Sequence, residues 1–73
     1  MERPMKEQLL ELLNAQPFVP FRIVMTSGHE HEVGNPDLVA VGESQIHVYT
    51  PKSARYVILR FNQIAAFHVA QAA

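Results

Sequence analysis

Hydrophobic positions recur with helical spacing at the start of this chain and alternate with polar ones further on. From Pro4 to Ala15, the apolar residues form one stripe and the charged residues occupy the remaining faces: Met5, Leu9, Leu10, Leu12 and Leu13 against Lys6, Glu7 and Glu11. Pro4 suits the first turn of a helix, and Pro17 lies where a helix must already have ended. The pattern predicts an amphipathic helix over residues 4–15, whose apolar stripe needs a second element to cover it.

A short connector at residues 17–20 leads into a predicted hairpin, whose turn length decides which residues face the interior. A two-residue loop would bury Glu30 and Glu32 against apolar partners. A three-residue turn over residues 26–28 ends on Gly28, where glycine best tolerates the left-handed conformation that such a turn needs. The three-residue turn is therefore preferred, with Met25 opposite His29, Ile23 opposite His31, Phe21 opposite Val33 and, on the other face, Arg22 opposite Glu32.

The residue pattern in the second half of the chain predicts another hairpin and a final strand. Residues 34–37 form a turn, in which Asn35 can cap and Pro36 can open one helical turn. The apolar run at residues 38–41 is too short for its period to distinguish a strand from a helical turn. Residues 45–50 alternate as a strand, residues 51–54 close a four-residue loop, and residues 64–69 form the last strand before a loose tail at residues 70–73.

The second hairpin has two faces of different character. Its loop length places Val48 opposite Val57 and Ile46 opposite Leu59 on the inner face. The other face then carries the candidate interface residues His47, Tyr49, Tyr56 and Ile58. This face is more apolar than a monomer needs, which indicates a contact with another protein surface.

These elements predict a single domain over residues 1–73, of the mainly β or α+β class. An N-terminal helix precedes a β-rich body at residues 21–69, which is expected to be a small bent antiparallel sheet of four to five strands. Such a sheet can close into an Sm-like or SH3-like barrel. A chain of this length has a marginal core, which favours association with a partner chain.

Composition excludes several classes of protein. The chain has no cysteine, so a disulfide scaffold and cysteine-based zinc sites are ruled out. Six basic and seven acidic residues give a formal net charge of -1, which provides no strong field for nucleic acid or anionic lipid. No continuous apolar stretch near the N-terminus is long enough for a signal peptide or a membrane span. We expect a cytoplasmic, bacterial protein with no membrane partner.

Few side chains of this sequence are candidates for metal binding or catalysis. His29 and His31 stand two apart on a strand, so they project from one face at about 7 Å, which makes them weak candidates for a metal or small-ligand site. The alternative is that their rings cover the apolar end of the domain with their polar edges in water. No catalytic residue and no cofactor are predicted, because the serines at positions 27, 44 and 53 fall in turns where turn chemistry explains them.

Several segments resemble a group of small uncharacterised bacterial proteins. The shared features are Pro17-Phe18-Val19-Pro20-Phe21-Arg22-Ile23, the glycine turn at Gly28, the triplet Asn35-Pro36-Asp37, the strand Ile46-His47-Val48-Tyr49 and the closing Gln63-Ile64. Asn35 and Gln63 stand where that group has histidines. The resemblance implies no activity. The order of elements is more distantly similar to Sm-like barrels, but the basic motif by which those proteins bind RNA has no match at residues 60–63.

The leading functional hypothesis is a non-enzymatic interaction or assembly module, acting as a homo-oligomer or with another protein. Nucleic-acid binding through an Sm-like ring is the first alternative, since Lys52, Arg55 and Arg60 lie near aromatic residues on neighbouring strands. A sensor of a metal or small ligand, using the two histidines of the first hairpin, is the second.

Overall fold

The computed structural model describes residues 4–69, and the predicted loose tail lies outside them. The helix α1 spans Met5–Asn14, and the strands are β1 (Phe21–Met25), β2 (Glu30–Val33), β3 (Val39–Val41), β4 (Gln45–Thr50), β5 (Arg55–Arg60) and β6 (Ile64–Val69). Two 3-10 turns, Pro36–Leu38 and Phe61–Gln63, precede β3 and β6. In this part of the chain no helix has the length and apolar character needed to cross a membrane.

The strands form two three-stranded antiparallel sheets, which we name sheet A (β2-β1-β6) and sheet B (β3-β4-β5). This confirms the mainly β or α+β class with an N-terminal helix. The expected count of four to five strands in one bent sheet is wrong, because six strands are divided between two sheets. Barrel closure is not observed either, since neither sheet is closed in residues 4–69.

Gly34 and the first 3-10 turn explain the division into two sheets. They separate β2 from β3, so β3 pairs with β4 through Val39, Ala40 and Val41 rather than continuing the first hairpin. The ambiguous run at residues 38–41 is thus split: Leu38 ends the 3-10 turn and the three residues after it form a strand. Asn35 caps this turn, because its side-chain oxygen accepts a hydrogen bond from the amide of Asp37 at 2.9 Å.

The first hairpin has the predicted register. Phe21 lies opposite Val33, Arg22 opposite Glu32 and Ile23 opposite His31. Gly28 has φ +95°, in the left-handed region, and its amide donates to the carbonyl oxygen of Met25 at 2.9 Å. The three-residue turn is confirmed, and both glutamates of β2 are exposed.

The second hairpin also has the predicted register, with Val48 opposite Val57, Ile46 opposite Leu59, and Tyr49 opposite Tyr56. Within its loop, the amide of Ser53 donates to the carbonyl oxygen of Thr50 at 3.2 Å. Alternation along β4 and β5 therefore separates an inner apolar face from an outward one.

One apolar core joins the helix to both sheets. Phe21 lies at its centre and has ring contacts with Phe18 and Phe67, each at a centroid distance of 6.0 Å. The buried members are Leu9 from α1, Phe21, Ile23, Met25, Val33 and Ile64 from sheet A, and Ile46, Val48 and Leu59 from sheet B. The helix thus covers the sheets as its apolar stripe predicted, and no polar or charged residue among 4–69 is buried.

Candidate functional site

The outward surface of sheet B brings the four predicted interface residues together. Tyr49 pairs with Tyr56 and His47 pairs with Ile58 across β4 and β5. The two tyrosine rings lie 5.0 Å apart between centroids and are tilted by 51°, a favourable geometry for an aromatic pair. We name these four residues the tyrosine face.

Three of the four residues of the tyrosine face are exposed to solvent, and Tyr49 is half-buried. Tyr56 is 74% exposed and Ile58 is 58% exposed, which makes them the most exposed large apolar side chains within residues 4–69. His47 is also exposed, and its Nε2 lies 3.5 Å from Nε2 of Gln45. Burying a side chain of the size of isoleucine contributes about 1.5 to 3 kcal/mol to stability. The exposed isoleucine and tyrosine of this face do not gain that contribution within the monomer.

The outward surface of sheet A is different. Arg22 lies between Glu32 on β2 and His68 on β6. Glu30 lies on the same surface, two residues before Glu32. Arg22 and Glu32 are cross-strand partners as predicted, but the ion pair is with the neighbouring carboxylate, because Nη1 of Arg22 lies 3.5 Å from Oε1 of Glu30. The arginine side chain reaches diagonally across the strand pair, which long side chains on a sheet can do.

A shallow pocket of about 330 Å³ lies over this charged row, lined in part by Arg22, Glu32 and His68. Sequence reasoning did not place His68 beside Arg22. Only the pairing of β1 with β6 does so, and no local pattern in the sequence specifies that long-range register.

The two histidines of the first hairpin border the same pocket, although only His31 lies within β2 and His29 directly precedes it. They line a second shallow pocket, of about 320 Å³, with Met25, Leu59 and Gln63 among its other walls. Nδ1 of His29 lies 2.9 Å from the hydroxyl oxygen of Ser27. Burial lowers the pKa of His31, and the neighbouring charge of His29 lowers it further.

Within residues 4–69 the two histidines of the first hairpin belong to no cluster of three potential metal ligands. His47 lies on sheet B and His68 lies on the outward surface of sheet A. Across the described part of the chain, no group of three or more histidine, cysteine, aspartate or glutamate side chains is arranged to hold a metal ion. Two imidazoles, one of them hydrogen-bonded to a serine, leave most of the coordination sphere of a metal to water.

Comparison with known proteins adds no relative: no family model, no curated protein and no solved structure matches the chain.

Proposed function

We propose that this protein is a non-enzymatic interaction module and that the tyrosine face is its contact surface with protein. The observation that carries the proposal is the contrast between the two outward sheet surfaces. Sheet A presents arginine, glutamate and histidine side chains to water, whereas sheet B presents Tyr56 and Ile58. The charged side chains of the outer surface of sheet A thus contrast with the two large apolar side chains that sheet B exposes.

The composition of the tyrosine face fits a protein partner. Aromatic residues are enriched at the centre of protein interfaces, where lysine and acidic residues are depleted. Tyr49 and Tyr56 also offer a hydroxyl each, so the face can combine apolar contact with hydrogen bonding. Arg60 lies on the same side of β5 and borders the face at its end, as a rim charge would.

Single-stranded nucleic acid is the competing partner. Arg60 shares the outward side of β5 with Tyr56, but alternation places Arg55 on the opposite side, and Lys52 lies in the loop. One arginine beside two tyrosines is a small phosphate footprint, which favours protein over RNA.

A photo-cross-linking residue at position 56 tests the proposal, with the same residue at Leu10, 37% exposed on α1, as the control. We expect position 56, but not position 10, to form covalent products with a protein that mass spectrometry identifies, either a second copy or another chain. Unmodified protein in excess should compete with these products. Equal yields at the two positions would overturn the proposal.

Two binding measurements separate the alternatives. Retention of single-stranded RNA that weakens steeply with salt and is lost in Tyr56→Ser would assign the face to nucleic acid instead. Zinc that raises the melting temperature of the wild type, but not of His31→Gln, would show a metal-binding role for the first hairpin.

A further inference from the structure

We infer that this chain forms a homodimer through the open edge of sheet B that borders the tyrosine face, by antiparallel pairing of the two β5 strands around a two-fold axis at Ile58. This inference goes beyond the proposed function, since it uses the strand edge beside the tyrosine face and leaves the face itself open. It depends on the backbone of β5 and on the order of side chains along it.

Strand β5 is an edge of sheet B, because the order β3-β4-β5 leaves it with one strand neighbour among the described residues. The amide of Phe61 donates to the carbonyl oxygen of Ser44 at 3.1 Å, which continues the β4–β5 ladder by one residue. In an antiparallel ladder, every second residue directs its N–H and C=O toward the partner strand. Residues 55, 57, 59 and 61 therefore face β4, and the backbone groups of Tyr56, Ile58 and Arg60 face the open edge.

The side chains leave this edge unprotected at its middle. Edge strands are commonly protected by charged side chains. The β2 edge of sheet A follows that rule with exposed Glu30 and Glu32. Strand β5 has arginines only at its two ends, and Ile58 stands exposed between them.

Side-chain matching selects the register. A two-fold axis at Ile58 sets Ile58 opposite its own copy and Tyr56 opposite Arg60 of the second copy. On the inner side the same register sets Val57 opposite Leu59 of the second copy, so the pairs nearest the axis are apolar on both surfaces. Each Tyr56 ring then lies within reach of an arginine, as cation–π contact requires.

Registers with the axis one residue away set an arginine opposite a less suitable apolar side chain. An axis at Val57 would set Arg55 opposite Leu59 of the second copy, on the inner side where Leu59 is only 5% exposed. An axis at Leu59 would set Ile58 opposite Arg60. The register centred on Ile58 sets Arg55 opposite the partly buried Phe61 of the second copy, and it is the one of these three in which no arginine lies opposite Ile58 or the buried Leu59.

The resulting dimer has one continuous six-stranded sheet, β3-β4-β5 followed by the same strands of the second copy in reverse order. A two-fold axis perpendicular to the sheet keeps both tyrosine faces on the same side. Association thus extends the sheet and sets the two tyrosine faces side by side, where both stay open to a further protein partner.

Single cysteines test the axis directly, since the chain has none of its own. Hydrogen-bonded antiparallel partners have Cα atoms about 5.5 Å apart, within the range that a disulfide spans. Ile58→Cys should form a disulfide-linked dimer under mild oxidation, at a yield well above that of Glu43→Cys, an exposed position in the turn between β3 and β4.

The register has its own cysteine test. Tyr56→Cys and Arg60→Cys each place their two copies about 13 Å apart, four residues along the strand, so neither should cross-link alone. Mixed together, they should cross-link to each other. A self-linked Val57→Cys, or a product between Tyr56→Cys and Ile58→Cys, would overturn the register.

Opposite charges test the axis without a covalent bond. Ile58→Lys and Ile58→Glu each set like charges opposite each other, so each variant alone should dissociate with a constant roughly tenfold higher or more, as measured by light scattering after size exclusion. An equimolar mixture should recover the dimer. Circular dichroism on each variant checks that the exposed substitution leaves the monomer folded.

The outcomes separate the two proposals. A monomeric wild type at high concentration, or a dimer in which Ile58→Cys cross-links no better than Glu43→Cys, overturns the β5 pairing. Position-56 photoproducts with a protein would still support the interaction module in either case. Absence of those photoproducts overturns the module itself.

Discussion

The amide of Met25 donates to the carbonyl oxygen of His29 at 2.8 Å and closes the β1–β2 turn around Gly28. This one hydrogen bond links the last residue of β1 to the residue before β2 and so fixes the register of the hairpin. It decides that Ile23 pairs with His31, while Glu30 and Glu32 remain in water.

Gly28→Val should destabilise the protein by about 1 to 3 kcal/mol, because a β-branched residue resists positive φ. A Cβ at this position meets nothing within 4 Å, so the expected cost comes from the backbone and not from a clash. Urea unfolding followed by circular dichroism measures the change. Gly34→Ala is the matched control: its Cβ also meets nothing within 4 Å, and its φ is not in the left-handed region. Equal stabilities of the two variants would contradict the role given to Gly28.

Gly42→Ala should be destabilising for a different reason. A Cβ there would lie 2.9 Å from the backbone oxygen of Gln45, the atom that accepts the amide hydrogen bond of Gly42 at 2.8 Å. Because the close atom is backbone, relief requires the β3–β4 turn to shift. We expect a loss of about 1 to 3 kcal/mol by thermal or urea unfolding. A variant as stable as Gly34→Ala would show that this turn relaxes freely.

Arg22→Glu should cost about 0.5 to 1 kcal/mol, since the new carboxylate would lie across from Glu32 and near Glu30. Arg22→Gln removes the ion pair without adding repulsion and should cost less. The difference between the two variants should shrink in 1 M NaCl, where the screening length is about 3 Å. A difference that salt does not change would show that packing, and not charge, is responsible.

His31 should make the stability of the fold depend on pH. Its pKa in the folded state lies below the ordinary value of about 6.5, chiefly through burial. The unfolded chain then binds more protons than the folded one between these two values, so the free energy of unfolding is highest above pH 6.5 and falls as the pH drops below it. His29 and His31 are the titratable side chains that line the pocket.

Urea unfolding between pH 5 and 8 measures this dependence. His31→Gln should flatten the loss below pH 6.5, whereas His47→Gln, on the exposed surface of sheet B, serves as the control. If His31→Gln leaves the pH dependence of the free energy of unfolding unchanged, titratable groups other than His31 are responsible for it.

Local patterns predicted the hairpins and the tyrosine face because each depends on turn length and on the two-residue period of a strand. Gly28 and the four-residue loop at 51–54 were enough to set both registers. The same reasoning could not predict two sheets, since the pairing of β1 with β6 joins residues 39 to 48 positions apart in sequence. It also missed the contact of Arg22 with Glu30, which depends on a side-chain conformation and not on the register.

The resemblance to a group of small bacterial proteins and the more distant similarity to Sm-like barrels remain predictions. The strand order constrains the similarity to Sm-like barrels, because within residues 4–69 a ring would start from four open strand edges and not from a closed barrel. Pairing of β5 with a second copy uses one of these edges and leaves β2, β3 and β6 unused.

The purely apolar interior has an evolutionary consequence. Because no side chain buried within residues 4–69 needs a hydrogen-bond partner, the inside can exchange one aliphatic residue for another of similar volume with little loss. The topology is instead encoded where the chain reverses, at a few positions such as Gly28 and Gly42. Diverged descendants of this chain should therefore preserve the spacing between their reversals long after their interiors have drifted beyond easy alignment.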